Sequence, residues 1–324
     1  MVNRLSVCTI GGGSGMPIIN KGLVSAGYKN INSIVTTFDS GGDSGRIRTD
    51  ERGKTLAMSD YWRSLISLWK DGKQKELWEE MLRFRDGRGR NFGNAFFQFM
   101  SEKSGDLSSV DALFSKLTGA NLEGQVIPVS LSPSNLCFST GSGKTYSGEH
   151  MLDDLRMSMD RVEKIWLDPG VKANTEAAKA LIESDVIIIC PGSMYGSVLI
   201  NFLPKGMINA YRKSKAKKIL MTNIMSVASE NYKYSQDDYC QVFGGYLGVK
   251  KPFDLIIMPD LSILDKKLLK KILKLYAFEH SSPIIYDKKS SLKTVVADIA
   301  VIDEHNLRLR HSEEKLGRFF AKMA

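Results

Sequence analysis

The stretch Leu5-Ser-Val-Cys-Thr-Ile10, followed directly by Gly11-Gly-Gly-Ser-Gly15, decides the fold. The short apolar run predicts a strand, and the apolar pattern that resumes at Leu23 and Val24 is typical of a helix. Strand, tight glycine turn and helix, in this order, form the first unit of a doubly wound α/β sheet. Free N–H groups at a helix start favour an anion, which makes the turn a candidate phosphate site formed by Gly11, Gly12, Gly13, Ser14 and Gly15.

This first turn does not match the common phosphate-binding signatures. No Gly-Lys-Ser/Thr follows the glycines, so it is not a Walker A loop. Met16-Pro17 stands where the third glycine of Gly-x-Gly-x-x-Gly would be. On this stretch alone, a ligand site and a glycine turn that only lets a helix pack closely on a strand are equally good interpretations.

A second glycine-rich turn follows the β-branched run Ile31–Phe38, which predicts another strand. Its candidate ligand-binding residues are Asp39, Ser40, Gly41, Gly42, Ser44, Gly45 and Arg46. A carboxylate can hold a cation or a ribose hydroxyl, so Asp39 and Asp43 are also candidate metal ligands, and an arginine can bind phosphate. The alternative is a solvated surface loop, but the position after a strand favours a site.

The third turn follows Asp185–Cys190, in which a continuous apolar run after Asp185 is typical of a central parallel strand. Its candidate ligand residues are Gly192, Ser193 and Tyr195. Gly-x-Ser-x-Gly is absent, so Ser193 is not expected to be a hydrolase nucleophile. The carboxyl ends of parallel strands lie at one edge of a sheet, and we therefore expect the three turns to share a single cleft there.

Composition indicates a globular protein without a membrane segment. The 324 residues are 43% hydrophobic and 25% charged, and no apolar run approaches the roughly 18 residues that span a bilayer. The four cysteines are scattered, which predicts neither a zinc site nor a disulfide framework and agrees with a cytoplasmic protein. The net charge of +9 is spread over many lysines, which favours attraction of an anionic small molecule over nucleic-acid binding.

These patterns predict one α/β domain over residues 1–324. We expect a three-layer Rossmann-like fold with a mainly parallel central sheet, because glycine turns follow three strand signals. Helical periodicity between Lys54 and about Leu117 predicts inserted helices near residues 54–118. After the last strands, Arg310-His-Ser-Glu-Glu-Lys-Leu316 is expected to open a terminal helix, with Ser312 as its cap.

The motifs together resemble the gluconeogenesis factor family, within the superfamily of 2-phospho-L-lactate transferase (CofD-like) proteins. Ile10–Gly15 and Asp39–Arg46 are similar to its paired signatures, although Ser40 stands where the family usually has a second aspartate. The resemblance extends over nearly the whole chain. It implies ligand roles for Asn94 before an apolar helix, Asn223 after a strand, Tyr276 and Arg310.

The resemblance implies a protein that regulates carbon metabolism and cell shape. It also implies that the protein binds a nucleoside diphosphate and, within that class, a UDP-sugar. Tyr276 and Arg310 would contact that ligand. The alternative is an enzyme like the phospholactate transferase, which moves a phospholactyl group from a guanylated donor to a deazaflavin and would use Mg²⁺. We expect no nucleic-acid or membrane partner. The base, the sugar, catalysis and any homo-oligomer stay open at this stage.

Overall fold

The computed structural model describes residues 5–50, 55–70, 72, 74–105 and 107–323. In chain order the strands are β1 (Val7–Gly11), β2 (Ile31–Val35), β3 (Gly124–Pro128), β4 (Asn135–Thr140), β5 (Thr145–Ser147), β6 (Val162–Asp168), β7 (Val186–Ile189), β8 (Lys217–Met221), β9 (Leu255–Pro259), β10 (Thr294–Ala297), β11 (Ala300–Asp303) and β12 (Arg308–His311).

The helices alternate with these strands. They are α1 (Gly15–Ser25), α2 (Gly42–Asp50), α3 (Ser59–Ser67), α4 (Lys75–Arg83), α5 (Phe92–Ser104), α6 (Val110–Thr118), α7 (His150–Asp154), α8 (Thr175–Glu183), α9 (Met207–Lys213), α10 (Ala228–Asn231), α11 (Gln236–Leu247), α12 (Lys266–Phe278) and α13 (Glu313–Met323). None of them, over the residues described, is long and apolar enough to cross a bilayer.

Seven of the described strands form one sheet in the order β10-β9-β8-β7-β1-β2-β3, and every neighbouring pair is parallel. The chain first builds outward from β1 through β2 to β3, and later returns to place β7 on the other side of β1. The strand order therefore reverses between β1 and β7. In open α/β sheets the crevice at such a reversal, at the carboxyl ends of the strands, is the usual ligand site.

Helices cover both faces of this sheet. Successive residues of a strand point to opposite faces, so a central strand needs apolar residues at every position. Ile187 and Ile189 of β7 belong to one core cluster, whereas Ile188 between them belongs to the other. The prediction of a three-layer fold with a mainly parallel sheet is confirmed.

The inserted helices lie between β2 and β3, where α3 to α6 cover 59–118 apart from the gaps in the description. Lys54, where the insertion was expected to begin, lies outside the described residues. A separate antiparallel sheet contains β5, β4 and β6. Within it, β4 and β5 form an antiparallel hairpin.

The terminal helix begins where the sequence indicated, but a hairpin that the sequence did not indicate precedes it. Helix α13 starts at Glu313, directly after the predicted cap Ser312, whose hydroxyl accepts the Lys315 N–H at 3.3 Å. Arg310 and His311 belong to β12, which pairs antiparallel with β11. The β11–β12 hairpin and α12 share a small apolar cluster, including Tyr276 and Leu309, beside the carboxyl edge of the large sheet. We call this unit the hairpin lobe. The sequence showed no turn signal strong enough to separate two such short strands.

The first and third glycine turns touch each other at the strand reversal. A Cβ on residue 15 would lie 1.9 Å from the Pro191 carbonyl oxygen, and one on residue 11 would lie 3.1 Å from the Cβ of Cys190. Only glycine lets α1 begin this close to the turn that follows β7.

We expect Gly15→Ala to lower the free energy of unfolding by about 1–3 kcal/mol, because the two turns must move apart to admit a methyl group. Gly245→Ala in α11 is the matched control, since nothing lies within 4 Å of a Cβ there and alanine favours a helix. Urea denaturation of both variants measures the difference. Equal stability of Gly15→Ala and the native chain would contradict this packing.

His311 helps to dock the hairpin lobe on the large sheet. Its imidazole hydrogen-bonds the backbone of Thr222, directly after β8, and burial lowers the pKa of His311 to about 4. The ring is therefore neutral at pH 7. Because the unfolded chain binds a proton near pH 6.5 and the folded chain does not, stability is complete above pH 6.5 and is lost as pH falls toward 4.

We expect the difference in unfolding free energy between the native chain and His311→Asn to shrink by roughly 2–3 kcal/mol between pH 7 and pH 4. Asparagine keeps a donor for Thr222 but does not titrate. Buried carboxyl groups also make the unfolding free energy depend on pH. Because these groups are the same in both chains, their contribution cancels when the two unfolding free energies are subtracted. Denaturation curves at several pH values measure it, and a difference independent of pH would show that His311 titrates normally.

Candidate functional site

A cleft of about 810 Å³ opens at the strand reversal, between the first turn, the third turn and the hairpin lobe. This volume is within the range of small-molecule sites in proteins. Six residues selected from the sequence line it: Ser14, Gly15, Gly192, Asn223, Tyr276 and Arg310. The structure thus brings together parts of the chain that are almost 300 residues apart.

Asp60, an acid that the sequence analysis did not select, holds the first turn in place. The Asp60 carboxylate accepts a hydrogen bond from the Gly13 N–H, and a Cβ on residue 12 would lie 2.4 Å from an Asp60 oxygen. Gly13 itself has a φ of +62°, which favours glycine. Burial, followed by the nearby charge of Asp39, raises the pKa of Asp60 to about 6.

The start of α1 offers N–H donors to the cleft. Ser14 precedes the helix, but its side chain makes no capping hydrogen bond within the described structure. The first N–H groups of a helix have no partner inside the helix, and its dipole favours a negative charge at this end. Gly15 begins α1 and lines the cleft together with Ser14.

The third turn is held by two long-range contacts. Asn223 forms a pair of hydrogen bonds with the backbone of Gly192, at 3.0 Å to its N–H and 2.8 Å to its carbonyl oxygen. The buried Glu230 accepts bonds from the Ser193 hydroxyl at 2.8 Å and the Met194 N–H at 2.6 Å. Burial raises the pKa of Glu230 to about 7. The Ser193 hydroxyl therefore stabilises the turn through its bond to Glu230.

Tyr195 points away from the cleft. Its hydroxyl donates to the Val162 carbonyl oxygen at 3.2 Å, and its buried ring lines a different cavity of about 520 Å³ with Tyr234 and Tyr246. The structure therefore places Tyr195 on the other side of the third turn from Gly192.

The hairpin lobe contributes an aromatic ring and a cation. Tyr276 is largely buried, and its hydroxyl accepts the Leu309 N–H at 3.3 Å, which fixes the ring against β12. The Arg310 side chain is about half exposed and pairs with Asp303 at 3.2 Å. His311 also lines the cleft, and its Nε2 has no partner among the described residues.

Cationic side chains dominate the cleft wall. Those of the described residues that line it are Lys21, Arg63, Arg83, Arg85 and Arg310, against the single carboxylate of Glu79. Glu79 pairs with Lys21 at 3.1 Å, whereas Arg63 lies over the Trp62 ring at 5.5 Å. The excess of positive charge suits a ligand with more than one negative charge.

The second turn lines a neighbouring cavity of about 620 Å³. Ser40, Gly42, Gly45 and Arg46 border it, together with His150. Arg46 donates to the carbonyl oxygens of Arg88 at 2.6 Å and Gly89 at 2.9 Å, so it ties α2 to the basic loop before α5. The three turns share the carboxyl edge of the sheet, but the first and third line one cavity and the second lines the next.

Asp43 and Asn94 bind each other. The Asn94 amide donates to Asp43 at 2.9 Å and accepts from the Trp62 indole N–H at 2.9 Å, and both residues are buried. Asn91, and not Asn94, caps α5 with its side chain. The backbone N–H of Asn91 also donates to Asp43 at 3.1 Å.

The candidate metal ligands are already engaged by protein donors. Asp39 accepts from the Gly41 N–H at 2.8 Å and the Ser59 hydroxyl at 2.7 Å. Asp43 accepts from the Asn94 amide and the Asn91 N–H. Burial, followed by the charge of Asp39, raises the pKa of Glu149 to about 9, so the protonated Glu149 can donate to Asp39. Within the described ranges no group of three or more His, Cys, Asp or Glu could hold a metal ion, and Mg²⁺ at Asp39 or Asp43 would have to share carboxylates that already accept protein hydrogen bonds.

Four residues around these turns escaped the sequence analysis: Asp60, Arg63, Glu149 and Glu230. Asp60 and Arg63 lie one helical turn apart on α3, and Glu230 is 37 residues from its partner Ser193. No local pattern connects them with the glycine turns. The one available signal was an acid in the first turn of a short helix, which is common for capping reasons alone.

The chain is similar to known proteins along most of its length. The family model described as 2-phospho-L-lactate transferase CofD matches residues 7–303. The chain is 31% identical to a putative gluconeogenesis factor of Nostoc over 322 residues, covering 98% of this chain and 68% of the relative. It is 28% identical to the gluconeogenesis factor of Halalkalibacterium halodurans over 331 residues, covering 97% and 95%.

A solved structure has the same fold as this chain. A crystal structure of a protein from Bacillus halodurans superposes with a TM-score of 0.83 at 26% identity, covering 98% of this chain and 99% of that one. With a family model that matches nearly the whole chain, and relatives that match along most of their length, the chain belongs to the 2-phospho-L-lactate transferase CofD family.

Proposed function

We propose that this protein is a regulatory protein of the gluconeogenesis factor type that binds a nucleoside diphosphate sugar in the 810 Å³ cleft. The observation that carries the proposal is the composition of the cleft wall. Backbone N–H groups of a glycine turn, a cluster of cations and an aromatic ring face one space of nucleotide size. Relatives named gluconeogenesis factors support the regulatory part.

The diphosphate fits the end of the cleft at the strand reversal. Helix α1 begins there, and its first N–H groups, those of Gly15 and Met16, have no partner within the helix, whereas Pro17 has no N–H; Gly192 lies opposite. Arg63 and Arg310 approach from α3 and from the hairpin lobe, so charge would reach the diphosphate from both sides. Arg310, itself about half exposed, pairs with Asp303 near the surface, a contact that a doubly charged ligand can replace.

The nucleoside or the sugar fits beside Tyr276. A fixed aromatic ring can stack on a base or a sugar face, and the Arg308 guanidinium lies 4.8 Å from the ring centre on the lobe. The unpartnered Nε2 of neutral His311 is an acceptor at the same wall. The choice of uridine over guanosine comes from the family resemblance and not from these contacts.

A transferase is the second candidate, and the description of the matching family model favours it. Such an enzyme would move a phospholactyl group from a guanylated donor to a deazaflavin. Asp39 and Asp43 bind protein donors, which gives a divalent ion no ready site between them. Ligand binding without turnover is therefore the better-supported function.

We expect the native chain to bind UDP-N-acetylglucosamine in isothermal titration calorimetry, and Arg310→Ala to reduce the affinity about ten- to hundredfold. Loss of charge-assisted hydrogen bonds worth roughly 1.5–3 kcal/mol gives this range. Arg318→Ala is the matched control, because Arg318 is an exposed arginine on α13 that pairs only with exposed Glu314 among the described residues. Its affinity should equal that of the native chain.

UDP and GDP, titrated in parallel, separate the alternatives. Absence of binding to all three nucleotides by folded protein would reject the ligand class. Preferential binding of GDP, together with metal-dependent transfer from a guanylated donor to a deazaflavin, would replace the regulatory proposal by the enzyme. Equal loss of affinity in Arg310→Ala and Arg318→Ala would reject this cleft as the binding site but would not reject the proposed ligand class.

A further inference from the structure

A second cavity, separate from the cleft, lies between the start of β6 and helix α11. It has a volume of about 520 Å³, and three tyrosine rings line it, those of Tyr195, Tyr234 and Tyr246. We call this cavity the tyrosine pocket. Gly192 lines the cleft whereas Tyr195 lines the tyrosine pocket, so the two cavities lie on opposite sides of the third turn.

Two of the three rings form a fixed aromatic floor. Tyr195 donates its hydroxyl to the Val162 carbonyl oxygen at 3.2 Å, and the Tyr246 hydroxyl accepts the Ile165 N–H at 3.1 Å. The two rings lie edge to face, with centres 6.3 Å apart. Because the backbone of β6 satisfies both hydroxyls, the apolar parts of the rings are what the pocket offers to a ligand. Such rings favour another flat ring.

The wall formed by α11 contains a glycine that packing does not explain. Gly245 lines the pocket together with Gln241 and Val242, which lie on the same side of the helix. A glycine inside a helix costs about 1 kcal/mol relative to alanine. A Cβ on the preceding Gly244 would lie 2.9 Å from the Val249 carbonyl oxygen, but a Cβ on Gly245 would meet nothing within 4 Å. Close approach of a ligand is a reason for a glycine at this wall.

The third turn reaches the pocket through a rare kind of helical turn. Met194–Val198 form one π-helical turn, which contains Tyr195. Single π-helical turns occur frequently at functional sites. The buried Glu230 accepts hydrogen bonds from the Ser193 hydroxyl and the Met194 N–H, at the start of this turn. The protein itself therefore fixes the position of Tyr195 at the pocket.

Two cations at the pocket have no carboxylate partner among the described residues. Arg161 lies over the Tyr234 ring, 5.8 Å from its centre, and donates to the Tyr232 carbonyl oxygen at 3.2 Å. Lys164 lines the same side of the pocket. A guanidinium and an ammonium group beside aromatic rings suit a ligand that carries a negative charge.

The two acids at the pocket do not cancel this charge. Asp238 accepts the Ser235 N–H and hydroxyl, both at 2.7 Å, so it serves to cap α11. Glu163 is exposed to solvent, where water weakens its field. The balance of charge at the pocket therefore favours an anionic group over a cationic one.

A peptide strand does not fit this place. Strand β6 is at the edge of its three-stranded sheet, in which β4 is its neighbour. A peptide that adds to such an edge needs the free backbone groups of the strand. On this edge the tyrosine hydroxyls already bind the backbone at Val162 and Ile165. The tyrosine pocket therefore suits a small molecule.

We propose that the tyrosine pocket is a second small-molecule site, which takes a flat aromatic ring that carries one anionic group, a carboxylate or a phosphate. The ring would pack on Tyr195 and Tyr246, and the anionic group would reach Arg161 and Lys164. The volume of the pocket is within the range of such sites. The proposal does not depend on what binds in the cleft.

Titration of the full chain with phenyl phosphate, observed by NMR of the ligand, tests this proposal. We expect a dissociation constant of about 1 mM, since about 11 non-hydrogen atoms at roughly 0.4 kcal/mol each give this affinity. Phenol lacks the anionic group and inorganic phosphate lacks the ring. Each of them should bind at least about tenfold more weakly than phenyl phosphate.

Variants at the pocket locate the binding. Gly245→Leu should weaken phenyl phosphate binding at least about tenfold, because the leucine side chain fills the pocket. Its circular dichroism spectrum should not change, since nothing lies within 4 Å of a Cβ there and leucine favours a helix. Gly245→Ala, which replaces the glycine without filling the pocket, is the matched control and should bind like the native chain. Arg161→Gln should weaken binding about tenfold through the loss of a charge-assisted hydrogen bond.

Arg310→Ala separates the pocket from the cleft, and this variant should bind phenyl phosphate like the native chain. Loss of binding in Arg310→Ala would place the compound in the cleft and would overturn the proposal. A native chain that does not bind phenyl phosphate at about 10 mM would overturn it as well, as would a Gly245→Leu variant that binds like the native chain. Equal affinity for inorganic phosphate would reject a site for an aromatic ring.

Discussion

The contact between the first and third glycine turns is the constraint on which the site depends. A Cβ on residue 15 would meet the Pro191 carbonyl oxygen at 1.9 Å, so the start of α1 and the turn after β7 pack backbone against backbone. This contact lies where the strand order reverses, which is where an open α/β sheet leaves its crevice. The N–H groups of α1 thereby face a cleft, and Asn223 fixes Gly192 on the opposite side.

The fold follows from local patterns, which explains why it could be predicted. Ile187, Ile188 and Ile189 are apolar in succession because β7 is covered on both faces, and each predicted glycine turn follows a strand of the parallel sheet. The hairpin lobe was missed because β11 and β12 have four residues each, and so short an alternation resembles the start of a helix. The ends of short elements depend on tertiary pairing more than on propensity.

The candidate cleft could be predicted only in part, because residue type does not show where a side chain finds its partner. Asn94 and Ser193 have the chemistry of ligand contacts, yet Asp43 and Glu230 bind them inside the protein. Those partners lie 51 and 37 residues away, beyond any local spacing rule. Arg63 was not selected either, because it lies on the inserted helix α3 and reaches the cleft only in the folded chain. Tyr276 and Arg310 were selected through family resemblance, since nothing in their local sequence indicates a site.

Buried acids lie beside the first and second glycine turns, and burial raises their pKa values to different extents. The pKa of Glu149, which bonds Asp39 at the second turn, rises to about 9, so this acid is uncharged at pH 7. The pKa of Asp60 at the first turn rises only to about 6, so it stays mostly ionised and accepts the Gly13 N–H. The most direct measurement is a crystal structure of the native chain with UDP-N-acetylglucosamine. We predict diphosphate density between the N–H groups at Gly15 and the Arg310 guanidinium, with the rest of the ligand beside Tyr276. Ligand density in the neighbouring cavity at Ser40 and His150, with this cleft empty, would contradict the account.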